Sequence, residues 1–236
     1  MVDDLTVKLF ADGADLDGIL ALASDPRVAG FTTNPTLMWK AGLTNYQDFA
    51  QRLLERVTEH PISFEVFADD EDEIRRQAKV IAAWGENVYV KVPVSTTAGE
   101  SLAPLVRELS ESGVKVNVTA LFTTAQVELI TEAVKDGAPS YISVFAGRIA
   151  DAGIEPVPLM RKAVDIMLAA PRSELIWASP REVLNVVQAD EAGVDIITMT
   201  QDLFAKLDSL GKDLAQFSLE TVQMFRRDAL SAGFTL

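Results

Sequence analysis

The sequence predicts a (β/α)8 TIM barrel, an α/β fold of eight parallel strands ringed by helices, with one additional C-terminal helix. Three observations predict it. Short runs rich in Val, Ile and aromatic residues alternate with amphipathic runs eight times along 236 residues, the pattern of parallel strand–helix units. Four central strand segments carry a polar residue at an interval of 26, at Glu65, Lys91, Asn117 and Ser143, as one repeating unit would. No Pro/Gly-rich or low-complexity stretch divides the chain. Residues 1–236 therefore read as one barrel domain, with 208–236 as its helical extension.

The β-rich runs are Leu5–Ala11, Ala29–Thr33, Ile62–Phe67, Val88–Val92, Val114–Leu121, Tyr141–Phe145, Glu174–Ser179 and Asp195–Met199. The helical runs are Ala14–Ala23, Tyr46–Thr58, Glu71–Trp84, Glu100–Ser112, Thr124–Lys135, Val157–Leu168, Arg181–Ala192 and Gln201–Leu207, and a last one covers Leu219–Ser231. Gly85, Gly113, Gly137 and Gly193 each follow a helical run, where glycine can take the left-handed cap conformation. The rival architecture, an open doubly wound sheet, brings a glycine-rich turn after its first strand. Here that turn is Ala11-Asp12-Gly13-Ala14-Asp15, which sets carboxylates where a pyrophosphate would lie. Neither GxGxxG nor GxxxxGKS occurs, which disfavours nucleotide binding.

Composition excludes other chemistries. There is no cysteine and a single histidine, His60, so no metal site of the usual Cys/His kind is expected. His60 precedes Pro61 in a turn and reads as a solvated loop residue rather than a triad base. The net charge of −14 repels nucleic acid and anionic membranes, and neither is an expected partner. No run approaches the roughly 20 apolar residues of a membrane span. The opening MVDDLTVKLF lacks the basic region and apolar core of a signal peptide, so a cytoplasmic location is expected.

Strand side chains alternate between faces. In Val88-Tyr89-Val90-Lys91-Val92 the valines share one face, and Tyr89 and Lys91 share the other, the barrel interior. Glu65 alternates with Ile62, Phe64 and Val66. Asn117 and Thr119 alternate with Val116, Val118 and Ala120, and Ser143 with Ile142 and Val144. Parity thus converges a carboxylate, an amine, an amide and two hydroxyls inside one barrel, where burial without partners costs roughly a few kcal/mol each. A hydrogen-bonded polar plug, or a buried Lys91–Glu65 ion pair, is the structural alternative. A lysine in the middle of a strand points instead to chemistry, because a desolvated amine is a ready nucleophile.

Several segments resemble the transaldolase family. Gly30-Phe31-Thr32-Thr33-Asn34-Pro35-Thr36 resembles its TTNP element, and Tyr89-Val90-Lys91-Val92-Pro93 its Schiff-base strand. Asn117-Val118-Thr119-Ala120-Leu121-Phe122 is similar to its NxTxxF strand. Ser143-Val144-Phe145-Ala146-Gly147-Arg148-Ile149 is similar to its SxFxGRI strand end. Ala178-Ser179-Pro180-Arg181 and Ala192-Gly193-Val194-Asp195 resemble its ASxR and AGxD elements. The six fall in family order along nearly the whole chain.

The resemblance implies roles. Lys91 would form an imine with a donor ketose, and Asp12, in a DxxD-like run with Asp15, would be the acid/base for the C4 hydroxyl. Glu65 and Thr119 would hold the water that relays protons. Asn34 and Asn117 would hydrogen-bond the dihydroxyacetone hydroxyls, and Thr33, Ser143 and Phe145 would line the cavity. Arg148 and Arg181, assisted by Ser179, would bind a distal anion, a phosphate or a sulfonate. The substrate would be a small sugar phosphate of the fructose 6-phosphate or sedoheptulose 7-phosphate type, with no cofactor, since the imine itself is the electron sink. Family aldolases that release free dihydroxyacetone carry Gln at the position of Glu65 and Tyr at that of Phe145. Glu and Phe here imply transfer, with aldol cleavage or a sulfofructose donor as the alternatives. Departures fall at Pro180, Trp177, Phe31, Trp39 and residues 40–45. Trp177 is expected inside the barrel near the anion site, and the group as a whole at the acceptor end. Other lysine-dependent barrel aldolases lack these elements, and a non-catalytic barrel would have a broken constellation. The last helix, with Val222, Met224 and Phe225 among polar residues, reads plainly as packing on its own barrel; short members of the family use this tail between subunits, so the resemblance makes a homo-oligomer, such as a dimer or a decamer, expected.

Overall fold

The structure, a computed structural model, describes residues 4–235. Its order is β1 (Lys8–Asp12), α1 (Leu16–Leu22), β2 (Val28–Thr32), α2 (Pro35–Lys40), α3 (Tyr46–Leu54), β3 (Ile62–Glu65), α4 (Glu71–Ala82), β4 (Val88–Pro93), α5 (Ala103–Glu111) and β5 (Val116–Leu121). It continues through α6 (Thr124–Val134), β6 (Ser140–Val144), α7 (Ala146–Asp151), α8 (Val157–Met167), β7 (Ser173–Trp177), α9 (Leu184–Glu191), β8 (Ile196–Thr200), α10 (Gln201–Phe204) and α11 (Leu214–Ser231). The strands close in sequence order, β1 through β8 and back to β1, all pairings parallel. The predicted (β/α)8 barrel with a further C-terminal helix is the observed fold.

Short polar side chains start the helices. Asp15, Asn34, Asn45, Asp70 and Asp213 each accept a hydrogen bond from the backbone N–H three residues on, satisfying a donor the first turn leaves open. Thr123 and Gln126 form a reciprocal capping box on α6. The outward strand residues (Val90, Val92, Val116, Val118, Ile142 and Val144) are fully buried beneath the helices. Inside the barrel, Phe10, Tyr141, Ile176 and Ile196 form a separate apolar cluster that plugs its lower half. Tyr141 stacks on Tyr89 with ring centroids 4.0 Å apart and meets Phe10 in a T-shaped contact at 5.7 Å. Gly30 makes room for that plug. A Cβ there would come within 2.5 Å of the Phe10 ring. Gly30→Val should therefore overpack the interior by about 1–3 kcal/mol and lower the thermal midpoint by roughly 2–12 °C; an unchanged midpoint would mean that Phe10 relaxes freely.

Several expectations are corrected. Two short helices, α2 and α7, follow β2 and β6 where no helix was expected, and the last helix begins at Leu214 rather than Leu219. Gly113 and Gly193 take positive φ, but Gly85 and Gly137 do not. Gly137 is required by space instead, since a Cβ there would meet the Ser110 backbone at 2.8 Å. His60 is half-buried, with its ring 5.8 Å from that of Phe31. Trp177 is fully buried on the outer face of β7 with Leu175, while Ile176 and Ala178 face inward.

Candidate active site

Above the apolar plug the interior turns polar, at the C-terminal ends of the strands. Asp12, Thr32 and Glu65 are the last residues of β1, β2 and β3, and Lys91, Thr119 and Ser143 stand near the ends of β4, β5 and β6. The 26-residue interval has a direct cause in part of the sheet. Glu65 pairs with Lys91, and Lys91 with Asn117, as lateral neighbours across β3, β4 and β5. On β6 the register moves, so that Tyr141 is the partner of Asn117, and Ser143 stands one inward step higher.

Lys91 is 6% exposed. Its ammonium donates to the Thr33 carbonyl at 2.8 Å and lies 3.3 Å from a Glu65 carboxylate oxygen. The ion-pair alternative thus describes the resting contact, at the mouth of the barrel rather than deep in the core. Thr33 meets the site only through that carbonyl, because its hydroxyl turns away to donate to the Ser63 carbonyl at 2.8 Å. Asp12 accepts from the Thr32 hydroxyl at 2.9 Å and from the Asn34 amide at 3.4 Å. Burial pushes its carboxyl above the ordinary aspartate range, against the opposing pull of the Lys91 charge and these hydrogen bonds. Asn34 also caps α2, its carbonyl oxygen accepting from Leu37 N–H at 2.9 Å.

Two hydroxyl chains support these groups. Ser143 donates to the Asn117 side-chain oxygen at 2.7 Å, and the Asn117 amide donates to Ser63 at 2.9 Å. Behind Asp12, Thr32 and Thr198 hydroxyls stand 2.5 Å apart. The Thr119 hydroxyl is buried with no partner among the described residues. It precedes Ala120, whose φ of 64° lies in the left-handed region that non-glycine residues seldom occupy. The β5–β6 register shifts between Val118 and Leu121, so a strained bulge aims this threonine.

The arginines lie around the β6 and β7 ends. The Arg148 guanidinium stands 5.2 Å over the Phe145 ring. Arg181 pairs with Asp151 through Nε at 3.0 and 3.1 Å and through Nη2. Ser179 takes a φ of 58°. Trp39 is 78% exposed and, with Leu43 and Thr44, lines a cavity of about 220 Å³ beside Glu65 on the β2–β3 side. In an eight-stranded ring that is across the mouth from β6–β7. Of the departures, Pro180 stands beside Arg181, whereas Trp177, expected inside the barrel near the anion site, and Phe31 face outward.

The structure brings Asp12, Asn34, Glu65, Lys91, Asn117, Thr119 and Ser143 to one end of the barrel interior, with Phe145, Arg148, Ser179 and Arg181 on its β6–β7 side. Sequence reasoning missed Thr32, Ser63, Thr198 and Asp151. Ser63 shares the inward parity of Glu65 and was detectable by alternation. No described group of three or more His, Asp or Glu side chains forms a metal-binding cluster.

Comparison with known proteins identifies the family. Residues 9–235 match the family described as Transaldolase/Fructose-6-phosphate aldolase. A "Probable transaldolase" of Herpetosiphon aurantiacus is 35% identical over 194 residues, covering 82% of this chain and 83% of that protein. Another, of Streptococcus equi subsp. zooepidemicus, is 34% identical over 202 residues, covering 85% and 90%. A solved structure provisionally described as a fructose-1,6-biphosphate aldolase of Coccidioides immitis superposes with a TM-score of 0.54 at 16% identity, covering 83% of this chain and 74% of that one. That likeness concerns the barrel alone. The family match and the close relatives both span most of the chain that builds the polar mouth, and the chain belongs to the transaldolase/fructose-6-phosphate aldolase family.

Proposed function

We propose that the protein is a transaldolase that moves a dihydroxyacetone unit from a ketose phosphate to an aldehyde through a Schiff base on Lys91. Family membership supports an enzyme of the transaldolase/aldolase kind. The mechanism rests on one observation, a nearly buried lysine amine held between a backbone carbonyl and Glu65 in a mouth that also holds Asp12.

The Lys91 amine, after losing a proton, attacks C2 of the ketose, and water leaves as the imine forms. Glu65 and the free hydroxyl of Thr119 handle the proton transfers of that dehydration. Asp12 as carboxylate takes the C4 hydroxyl proton. The C3–C4 bond breaks, its electrons pass into the iminium to give an enamine, and the phosphate-bearing aldehyde departs. The enamine carbon then attacks the acceptor carbonyl, Asp12 returns its proton to the new alkoxide, and water adds to the product imine at C2, releasing the new ketose and restoring the Lys91 amine. Asn34 and Asn117 hold the dihydroxyacetone hydroxyls. Ser143 orients Asn117, and Arg148, Arg181 and Ser179 receive the distal anion.

Product analysis tests transfer against cleavage. Fructose 6-phosphate should give a new ketose in the presence of an aldehyde acceptor and little free dihydroxyacetone without one. Abundant free dihydroxyacetone in both cases would make the protein an aldolase. A sulfofructose donor consumed in preference to fructose 6-phosphate would move the distal anion to a sulfonate.

The proposed protein works in the cytoplasm as a homo-oligomer. No helix among the described residues is long and apolar enough to cross a membrane. α11 buries none of its residues and exposes Phe217, Val222 and Phe225, a face suited to a second copy of the chain. Light scattering should give a mass of at least two chains, and Phe225→Asp should lower it.

A further inference from the structure

We infer that Asp151 is a positioning residue for the distal-anion subsite, holding the Arg181 guanidinium on the side of α7 that carries Arg148; the inference rests on the reading of that subsite given above. Arg148 and Asp151 lie three residues apart on α7, so they share one side of that short helix. Arg181 arrives from the other side, after β7. Two guanidiniums at one subsite repel each other, and the Asp151 carboxyl, which feels both the Arg181 and the Arg148 charge, offsets this. It binds Arg181 edge-on, two carboxylate oxygens meeting Nε at 3.0 and 3.1 Å with Nη2 also engaged. That mode fixes the guanidinium plane and leaves Nη1 free for a ligand. The Arg181 hydrogen bonds and the nearby Arg148 charge hold the Asp151 carboxyl below the ordinary aspartate range, so it stays ionised at neutral pH.

The surrounding backbone is built tightly enough for such positioning to matter. Gly147, next to Arg148, donates its N–H to the Ala178 carbonyl at 3.2 Å. A Cβ on Gly147 would fall 1.5 Å from the Ser179 carbonyl oxygen, so only glycine lets the start of α7 meet the β7 end. Ser179 is held in the left-handed region at φ 58°. The Arg181 N–H is fixed by the Asn185 side chain at 2.7 Å. Main chain on both sides of the subsite is thereby fixed. The Arg181 side chain is 46% exposed and that of Asp151 54%, so their ion pair adds little to stability and its effect is expected in ligand binding.

The test is calorimetric titration of the intact chain with inorganic phosphate at constant ionic strength, for wild type, Asp151→Asn and Asp151→Glu. Wild type should bind phosphate. Asp151→Asn, nearly isosteric, should bind about tenfold more weakly, a loss the size of one charge-assisted hydrogen bond, with an unchanged thermal midpoint. Asp151→Glu should recover most of the loss. Equal or tighter binding by Asp151→Asn would overturn the inference and make Asp151 a competitor of the ligand. So would a wild type that binds no phosphate. Because the readout is binding rather than turnover, failure of the Lys91 chemistry would show separately, as absence of a ketose adduct. Turnover adds a second reading. Asp151→Asn should raise KM for fructose 6-phosphate about tenfold while shifting kcat and the KM for unphosphorylated fructose less than about twofold, whereas equal shifts for both sugars would contradict a role confined to the anion.

Discussion

Lys91→Met abolishes covalent capture of the ketose and lowers kcat/KM by on the order of 10⁴-fold or more, as loss of a nucleophile does in other covalent enzymes. No neighbour can replace the amine. Among the strand residues lining the mouth, Lys91 alone carries one, and Arg148 and Arg181 are guanidiniums at the β6–β7 side. Methionine matches the length of the lysine stem, so the apolar packing survives. Glu65, now lacking the ammonium 3.3 Å away, can be probed by the companion change Glu65→Gln. Circular dichroism and thermal unfolding, run beside the kinetics, distinguish lost chemistry from lost fold. Substantial turnover by folded Lys91→Met would end the imine mechanism.

Asp12→Asn has the second largest expected effect, and it works in opposite directions on activity and stability. Cleavage needs the Asp12 carboxylate as base, and its removal should cost about 10²–10⁴-fold in kcat. The imine should still form, so the variant should accumulate a six-carbon adduct where wild type carries a three-carbon one. Burial raises the Asp12 carboxyl in the folded protein. A carboxyl raised on folding binds its proton more tightly in the folded state. Its stabilising contribution is therefore complete below the unfolded value near 3.9. It declines as pH rises toward the folded value, leaving a penalty at neutral pH. Asp12→Asn should thus raise the thermal midpoint at pH 7 and have little effect at pH 3. The wild-type rate of cleavage should fall on the acid side at a pH above the ordinary aspartate range, and this limb should vanish in the variant. A midpoint that drops equally at both pH values would show that the hydrogen bonds from Thr32 and Asn34 outweigh desolvation.

The interior of β3 through β6 was legible because those strands alternate polar and apolar residues, so parity alone assigned Glu65, Lys91, Asn117, Thr119 and Ser143 to one face. β7 was misread for the converse reason. Leu175, Ile176, Trp177 and Ala178 are all apolar, a strand buried on both faces carries no alternation to read, and Trp177 faces out. The helices α2 and α7 have six residues each, fewer than two turns, too few for a helical period to register. Thr32 and Thr198 meet across 166 residues, and Asp151 finds Arg181 across 30. Side-chain contacts of that kind depend on which strands adjoin in the closed ring, which periodicity does not report. The left-handed Ala120 and Ser179 carry no sequence mark, since neither is glycine.

The most direct test of the imine account is to incubate the protein with fructose 6-phosphate, reduce with borohydride, and measure intact mass before peptide mapping. The account predicts one reduced adduct per chain, carrying a three-carbon unit and mapped to Lys91. An adduct elsewhere, or none with fructose 6-phosphate, sedoheptulose 7-phosphate or a sulfofructose, would contradict it and leave the Lys91–Glu65 pair as a structural element of the barrel.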